Sequence, residues 1–546
     1  MLPTCETTIL EIQKVLDTMD DMDSEKCSNA NLPSGNVSTA FIDASHNGNL
    51  DAVRDLLKCE ELDLNARDED RNTALEMASK MGHCEVVCEL LKHERVDLNA
   101  GNFWGNPAII TASVFGHSDV VRELLKHDEV DINSRGYFDR TALMEASKEG
   151  RCNVVRELLK HNQVDVNAKC GCGDTALLWA SQKGWCDVVC ELLKHNMVDV
   201  NVRDKYGATA LISASRNDRR DVVRELLKHN MVEVNAKGGE SGTALCWASQ
   251  IGHCETVREL LKHNEVNVNA RSKDRRTVLI GAVDGGHCDV VRELLRHDHV
   301  DVNASGSWGE TALSMACRLG RFDMVCELLK HEKVDLHVTD ANGDSALLWA
   351  CTNGHCDVIR ELLKQDKIDV NATDAFGYTS LIVACANGHL GAVCDLLKHD
   401  KVDVNARSFE GYNCFLLRSD KLFWYGNKFL PRKDGKADVN ATNRDGRNAL
   451  LWAIKYEHWD IVDELVQRTE MDVNVQDVIG CTALMWACLQ GRLISVSMLL
   501  KHDNIDTNLK NKAGSTALDI ARKCHMHEIA QCLEEYTKVG VRRRGE

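Results

Sequence analysis

The sequence repeats itself every 34 residues, and this limits the possible folds more than any other feature. An Asn, in Asp-Val-Asn or a close variant, falls at Asn65, Asn99, Asn133, Asn167, Asn201, Asn235, Asn269, Asn303, Asn371 and Asn405, and His337 fills the gap. A fixed period of this length marks an array in which each unit is one supersecondary element that cannot bury its apolar face alone. The chain has 546 residues, which by length alone suggests roughly three to five separate cores. The period replaces that reading with stacked units.

One unit, 135–168, shows the local logic. Thr141 offers a hydroxyl to cap a short helix through Ala142, Leu143, Met144, Glu145 and Ala146, and Gly150 ends it. Asn153 opens a second helix, on which Val154, Val155, Leu158 and Leu159 form one broad apolar stripe. Lys160 and His161 close it, placing basic groups against the carbonyl end of the helix dipole. From Val164 to Asp174 the Asp, Asn and Gly residues predict a hairpin-like loop leading to the next unit.

These pieces resemble the ankyrin repeat, with Thr-Ala-Leu standing for its Thr-Pro-Leu, a Gly-His before the second helix, and an Asp-Val-Asn loop. The likeness covers 38 to about 535 and implies an all-α solenoid of stacked helix-loop-helix repeats with hairpin-like loops. The chain departs from the pattern in three ways. It holds only four Pro; the signature His is replaced by Glu76, Met144, Leu178, Ile212 and others; and an extra residue follows each Lys-His. At that point Glu94, Asp128, Asn162 or Asn196 stands where the family places Gly, so a left-handed backbone is expected there.

The expected organisation is an N-terminal helix, cap and linker over 1–36, a block of about eleven repeats over 37–406, a degenerate repeat or hinge over 407–441, three repeats over 442–535, and a basic tail over 536–546. Ile9, Ile12, Leu16 and Met19 line one side of the first helix, which reads as a cap and alternatively as a partner-binding helix. In 407–441 the apolar stripe is missing, Pro431 stands where a helix interior is due, and Arg418, Lys421, Lys428, Arg432, Lys433 and Lys436 make the stretch basic. It reads as a decayed unit or as a docking loop.

Several functions are excluded or disfavoured. A net charge of −18 argues against a nucleic-acid backbone as the main ligand. No apolar run approaches the roughly 18–20 residues of a membrane span, and Met1 to Ser24 lacks the layout of a secretory signal. A monomer in the cytoplasm, with the nucleus also open, is the expectation. No phosphate-binding loop, kinase set, nucleophile elbow or metalloprotease helix occurs, so no enzyme and no cofactor are expected.

The 24 Cys mostly recur within the period, as at Cys84, Cys152 and Cys186 or at Cys317, Cys351 and Cys488, and read as small packing thiols. Cys84/Cys88 and Cys186/Cys190 are i, i+4 pairs on one helical face and Cys170-Gly-Cys172 lies in a loop, but zinc needs four converging ligands, usually two close pairs at fixed separation, so no metal site is expected. The His of Lys-His (His93, His127, His161 and onward) read as helix caps, and those of Gly-His (His83, His117, His253 and onward) as loop-packing groups. Trp179, Trp247, Trp349, Trp452 and Trp486 share one position on the first helix and read as core.

In ankyrin arrays the loop tips and the exposed face of the first helix hold partners. Here the tips carry Phe103, Trp104, Tyr137, Phe138, Tyr206, Trp308, Phe376 and Tyr378, and Phe115 ends an adjacent helix. In a chain that is only 5% aromatic, rings in loops with no core to fill suggest interface anchors. The resulting expectation is a non-catalytic scaffold that binds protein partners. The alternatives are an adaptor recruiting an enzyme, or a cryptic activity in 407–441.

Overall fold

The computed structural model describes residues 37–59, 62–239, 242–409, 440, 442–455, 462, 465–467 and 471–543. The expected helix in 1–36 and nearly all of the 407–441 segment lie outside the described residues. The chain divides into two compact units, 1–180 with 185–202, and 181–184 with 203–546. All extended regular structure among the described residues is helical, and β-pairing is confined to single bridges such as Arg271 with Thr277 and Thr373 with Thr379, which close loop hairpins.

In the first unit, inner helices Val37–His46, Ala74–Met81, Ala108–Phe115 and Ala142–Lys148 pack side by side, and outer helices Leu50–Leu56, Cys84–Leu90, Ser118–Leu124, Cys152–Leu158 and Cys186–Leu193 do the same. The second unit repeats the arrangement from Ala210–Arg216 and Arg220–Leu227 to Ala517–Lys523 and His527–Arg543. Its last helix carries the chain through 536–543, where only a basic tail was expected. The repeated Ala-Leu of the inner helix and Val-Val-x-x-Leu of the outer helix supply the core: Leu143, Val154, Val155 and Leu158 are all buried, as are Leu347, Val358, Ile359 and Leu362. Helices of two turns have little stability of their own, so this shared burial is what forms them.

The caps follow the sequence reading. Thr73, Thr141, Thr209, Thr243 and Thr379 each accept a hydrogen bond from the amide three residues on, and Ser345 does the same. The Gly before the Gly-His residue has a positive φ, and the side chain of the next repeat lies across it. At Gly82 (φ 78°) a Cβ would fall 2.4 Å from His117 Nδ1, and at Gly150 (φ 72°) 2.7 Å from Trp185 Cδ2. The covering side chain then bonds a backbone carbonyl 37 residues back. His83 Nε2 lies 3.0 Å from the His46 oxygen, Arg151 Nε donates to Val114 at 3.0 Å, and Trp185 Nε1 donates to Lys148 at 2.9 Å. One N–H on a flat group is the requirement, so His, Arg and Trp interchange.

Two further ladders tie the loops together. Asn65 donates Nδ2–H to the Arg95 carbonyl at 2.8 Å and accepts from Asp97 N–H at 2.7 Å. Asn99, Asn133 and Asn167 repeat this in the first unit, and Asn269, Asn303, Asn371 and Asn474 in the second. This is the physical content of the 34-residue Asn period. Between outer helices, Arg156 of one repeat pairs with Glu191 of the next at 3.2 Å, while Lys194 holds the same carboxylate at 3.0 Å. These bonds hold the Glu191 carboxyl below the usual range, Lys194 first, against the opposing effect of burial.

Two local expectations need correction. The residues after Lys-His, Glu94, Asp128, Asn162 and Asn196, have no positive φ. The outer helix instead tightens into i−3 bonds, His93 N–H to Leu90, and a second turn follows, Val96 N–H to His93, so the extra residue fits without left-handed backbone. At His195, His229, His331 and His399 of the Lys-His pairs the ring Nδ1 also accepts the amide two residues on, at 3.3–3.4 Å, which caps the turn that follows the helix. Finally, Trp179, Trp247, Trp349 and Trp486 are half-buried rather than core. Their position lies on the partly open face of the inner helix, and the side chain of Trp452 lies outside the described residues.

Candidate functional site

Of the nine aromatic residues singled out from sequence, the structure brings four together. Tips 34 residues apart are neighbours in the stack, so Phe103 and Trp104 on one meet Tyr137 and Phe138 on the next. Ring centroids are 5.2 Å apart for Phe103 and Trp104, 4.9 Å for Trp104 and Tyr137, and 4.0 Å for Tyr137 and Phe138. The first two contacts are edge-to-face, the arrangement ring quadrupoles favour. Despite these contacts Phe103 is 64% exposed, and Trp104, Tyr137 and Phe138 are 40–43% exposed.

The local backbone explains how the rings are held. Most tips donate a backbone N–H to the preceding tip, as Phe103 does to Asp70 at 3.0 Å and Gly171 to Phe138 at 3.0 Å. Between the two aromatic tips the acceptor is a side chain: Tyr137 N–H bonds Asn106 Oδ1 at 3.0 Å. A Cβ on residue 136 would sit 1.9 Å from that oxygen, so a side chain there would displace the Asn106 amide from Tyr137. Phe138 and Asp139 then both take positive φ, 58° and 59°. Left-handed backbone costs a non-glycine residue of order 1 kcal/mol or more. Arg140 lies 5.3 Å from the Phe138 ring centre and 4.9 Å from that of Trp179, while its guanidinium pairs with Glu145 at 3.1 Å. The ribbon therefore runs from Phe103 across Arg140 to the inner helix.

The other five residues are separate. Phe115 is 42% exposed beneath Lys80, 5.9 Å from its ring centre. Tyr206 carries Lys205 at 5.0 Å, Trp308 is 75% exposed, and Phe376 and Tyr378 lie 6.5 Å apart on one tip. Sequence reasoning missed the extension through Arg140 and Trp179. The spacing of Trp179 from the tip residues was visible, but its half-exposure depends on how neighbouring helices pack.

The same loops reveal a second pattern. Trp349 Nε1 donates to Asp340 at 2.9 Å and Trp486 Nε1 to Asp477 at 3.0 Å, each nine residues earlier. At Trp179 and Trp247 the residue nine earlier is Cys170 or Gly238, and there the buried indole N–H has no partner. The repeated thiols are mostly held protonated. Burial, followed by Cys88, pushes Cys84 up to about 11, and burial pushes Cys488 up to about 12 and Cys317 and Cys351 further still. Cysteines in these rows have the environment of packing groups rather than nucleophiles.

No curated protein matches the chain at a significant level. The family model for ankyrin repeats, built on three copies, matches residues 12–102, 95–170, 162–238, 245–340, 313–408, 427–511 and 470–542. With the helix pairs, glycine caps and loop ladders in place, this coverage shows that the chain belongs to the ankyrin-repeat family.

Proposed function

We propose that this protein is a non-catalytic scaffold and that the ribbon of Phe103, Trp104, Tyr137 and Phe138 is its principal partner-binding surface. Ankyrin repeats are in general protein-interaction modules, which supports binding as the class of function. The observation that carries the specific reading is the ring-to-ring contact across two tips, exposed on a strained backbone. Rings braced against each other have already lost rotamer freedom, so a partner gains large contact area at small entropic cost. Tyr206, Trp308, Phe376 and Tyr378 would offer separate contacts within the second unit, and Phe115 would flank the ribbon.

The test compares the full chain with the double variant Trp104→Ala and Phe138→Ala as bait. Partners recovered by the wild type should be lost from the variant while its circular dichroism and thermal midpoint stay close to wild type. Truncating an interface anchor costs more than about 1–2 kcal/mol of binding. Equal recovery of the same partners by both baits would refute the assignment.

A further inference from the structure

We propose that the turn Cys170-Gly171-Cys172-Gly173-Asp174 binds a thiophilic divalent cation, zinc foremost, through the two sulfurs and the Asp174 carboxylate. Among the described residues this is the one group of three or more potential ligands that converge, with the three ligand atoms within 4.8 Å of one another. Zinc sites built on such a turn usually add a second cysteine pair. The third ligand is instead a carboxylate two residues beyond Cys172, brought back by the turn.

The turn is already built. Cys170 N–H bonds the Asp174 carbonyl at 3.0 Å, Gly173 N–H bonds the Cys170 carbonyl at 2.8 Å, and Gly173 takes a φ of 83° that favours glycine. Gly171 N–H anchors the turn to Phe138 on the adjacent tip at 3.0 Å. Zinc bonds of about 2.3 Å to sulfur and 2.0–2.2 Å to oxygen put tetrahedral ligands about 3.5–3.8 Å apart. The ligand atoms, within 4.8 Å of one another, therefore stand no more than about 1 Å beyond that spacing. Cys170 is buried while Cys172 and Asp174 are half-exposed, so the ion has a lining and a path from solvent. Two thiolates select zinc over calcium or magnesium, and three protein ligands leave the fourth tetrahedral position for water or a donor from a partner.

The surroundings offer a hydrogen-bond donor to a bound sulfur. Trp179 Nε1–H is buried without an acceptor, and it follows Cys170 by the same nine residues at which Trp349 and Trp486 donate to Asp340 and Asp477. A metal-bound thiolate at Cys170 supplies the anionic acceptor that Asp supplies elsewhere. On binding, each thiol releases its proton to solvent. This site does not depend on the ribbon being the partner surface, although its anchor through Phe138 means that the ion would stiffen the end of the ribbon.

The test is a cobalt titration of the full-length protein, reduced with a non-thiol phosphine. The wild type should take up one Co²⁺ with a thiolate-to-metal charge-transfer band and the intense visible bands of tetrahedral cobalt, and Zn²⁺ should displace both. Replacing Cys170 and Cys172 together by Ser should abolish the charge-transfer band, and Asp174→Asn and Trp179→Phe should each weaken binding by about tenfold or more. Replacing Cys84 and Cys88 together by Ser should leave the spectrum unchanged, which separates this turn from the other thiols. The proposal is overturned if the wild type shows no such bands, if they survive when Cys170 and Cys172 are both Ser, or if the Cys84 and Cys88 variant loses them equally.

Discussion

Glu76 stands where other repeats place Ile110, Met144, Leu178 or Ile212, and it is 2% exposed. One of its oxygens accepts Thr73 N–H at 3.2 Å, completing a capping box, and the other has no hydrogen-bond partner. Burial raises its carboxyl from 4.5 to about 8, against the smaller lowering by Thr73 N–H and the Arg67 charge. Because the folded pKa lies above the unfolded one, the native state holds the extra proton between these values, and stability falls as pH rises through that window. At 1.36 kcal/mol per pH unit the loss reaches about 4–5 kcal/mol above pH 8, an upper bound because the buried site relaxes. Glu76→Gln keeps the capping bond and removes the titration. Pulse proteolysis in urea, read by peptides from 74–100, should show the variant nearly equal to wild type at pH 4.5 and more stable by several kcal/mol at pH 8.5. Parallel pH dependence in the two proteins would show that Glu76 is ionised in the fold and that the reasoning from burial is wrong.

Other perturbations test the ladders and the packing. His337 interrupts the Asn series, and among the described residues its ring makes no bond to the next loop, so His337→Asn should add about 1 kcal/mol through Lys367 and Asp369. Urea midpoints of the second unit would register the gain. Gly82→Ala should destabilise the first unit by more than about 2 kcal/mol, because positive φ and the His117 ring both oppose a Cβ. Thermal melts that leave the midpoint unmoved would contradict this. Trp349→Ala should cost about 2 kcal/mol, below the 3–5 kcal/mol of a fully buried aromatic, because the ring is half-exposed. Denaturant titration distinguishes the two values.

Much of the fold was legible because the same local solution recurs. A Thr cap, a Val-Val-x-x-Leu stripe and an Asn in the loop each have a local cause, and repetition made them visible. Less legible were features set by the neighbouring repeat. The residue after Lys-His escapes left-handed backbone because the helix end tightens, and the half-exposure of Trp179 and Trp349 follows from packing between inner helices. At the site, aromatic tips 34 residues apart could be placed side by side from sequence. Their mutual contact, the positive φ of Phe138 and the return of Asp174 toward Cys170 and Cys172 required the loop geometry. The carboxyl of Glu76 was noted as a departure at the signature position, but its depth of burial could not be read from residue type.

The central claim is that partners dock on the aromatic ribbon of the first unit. Its most direct test is site-specific photo-crosslinking, with a benzophenone amino acid placed singly at Phe103, Tyr137 or Phe138 and, as controls, at Met231 and Ile494, which are 68% and 77% exposed. The account predicts one or a few discrete crosslinked protein partners from the three ribbon positions and little from the controls. Equal crosslinking at ribbon and control positions, or discrete partners at the controls alone, would contradict it.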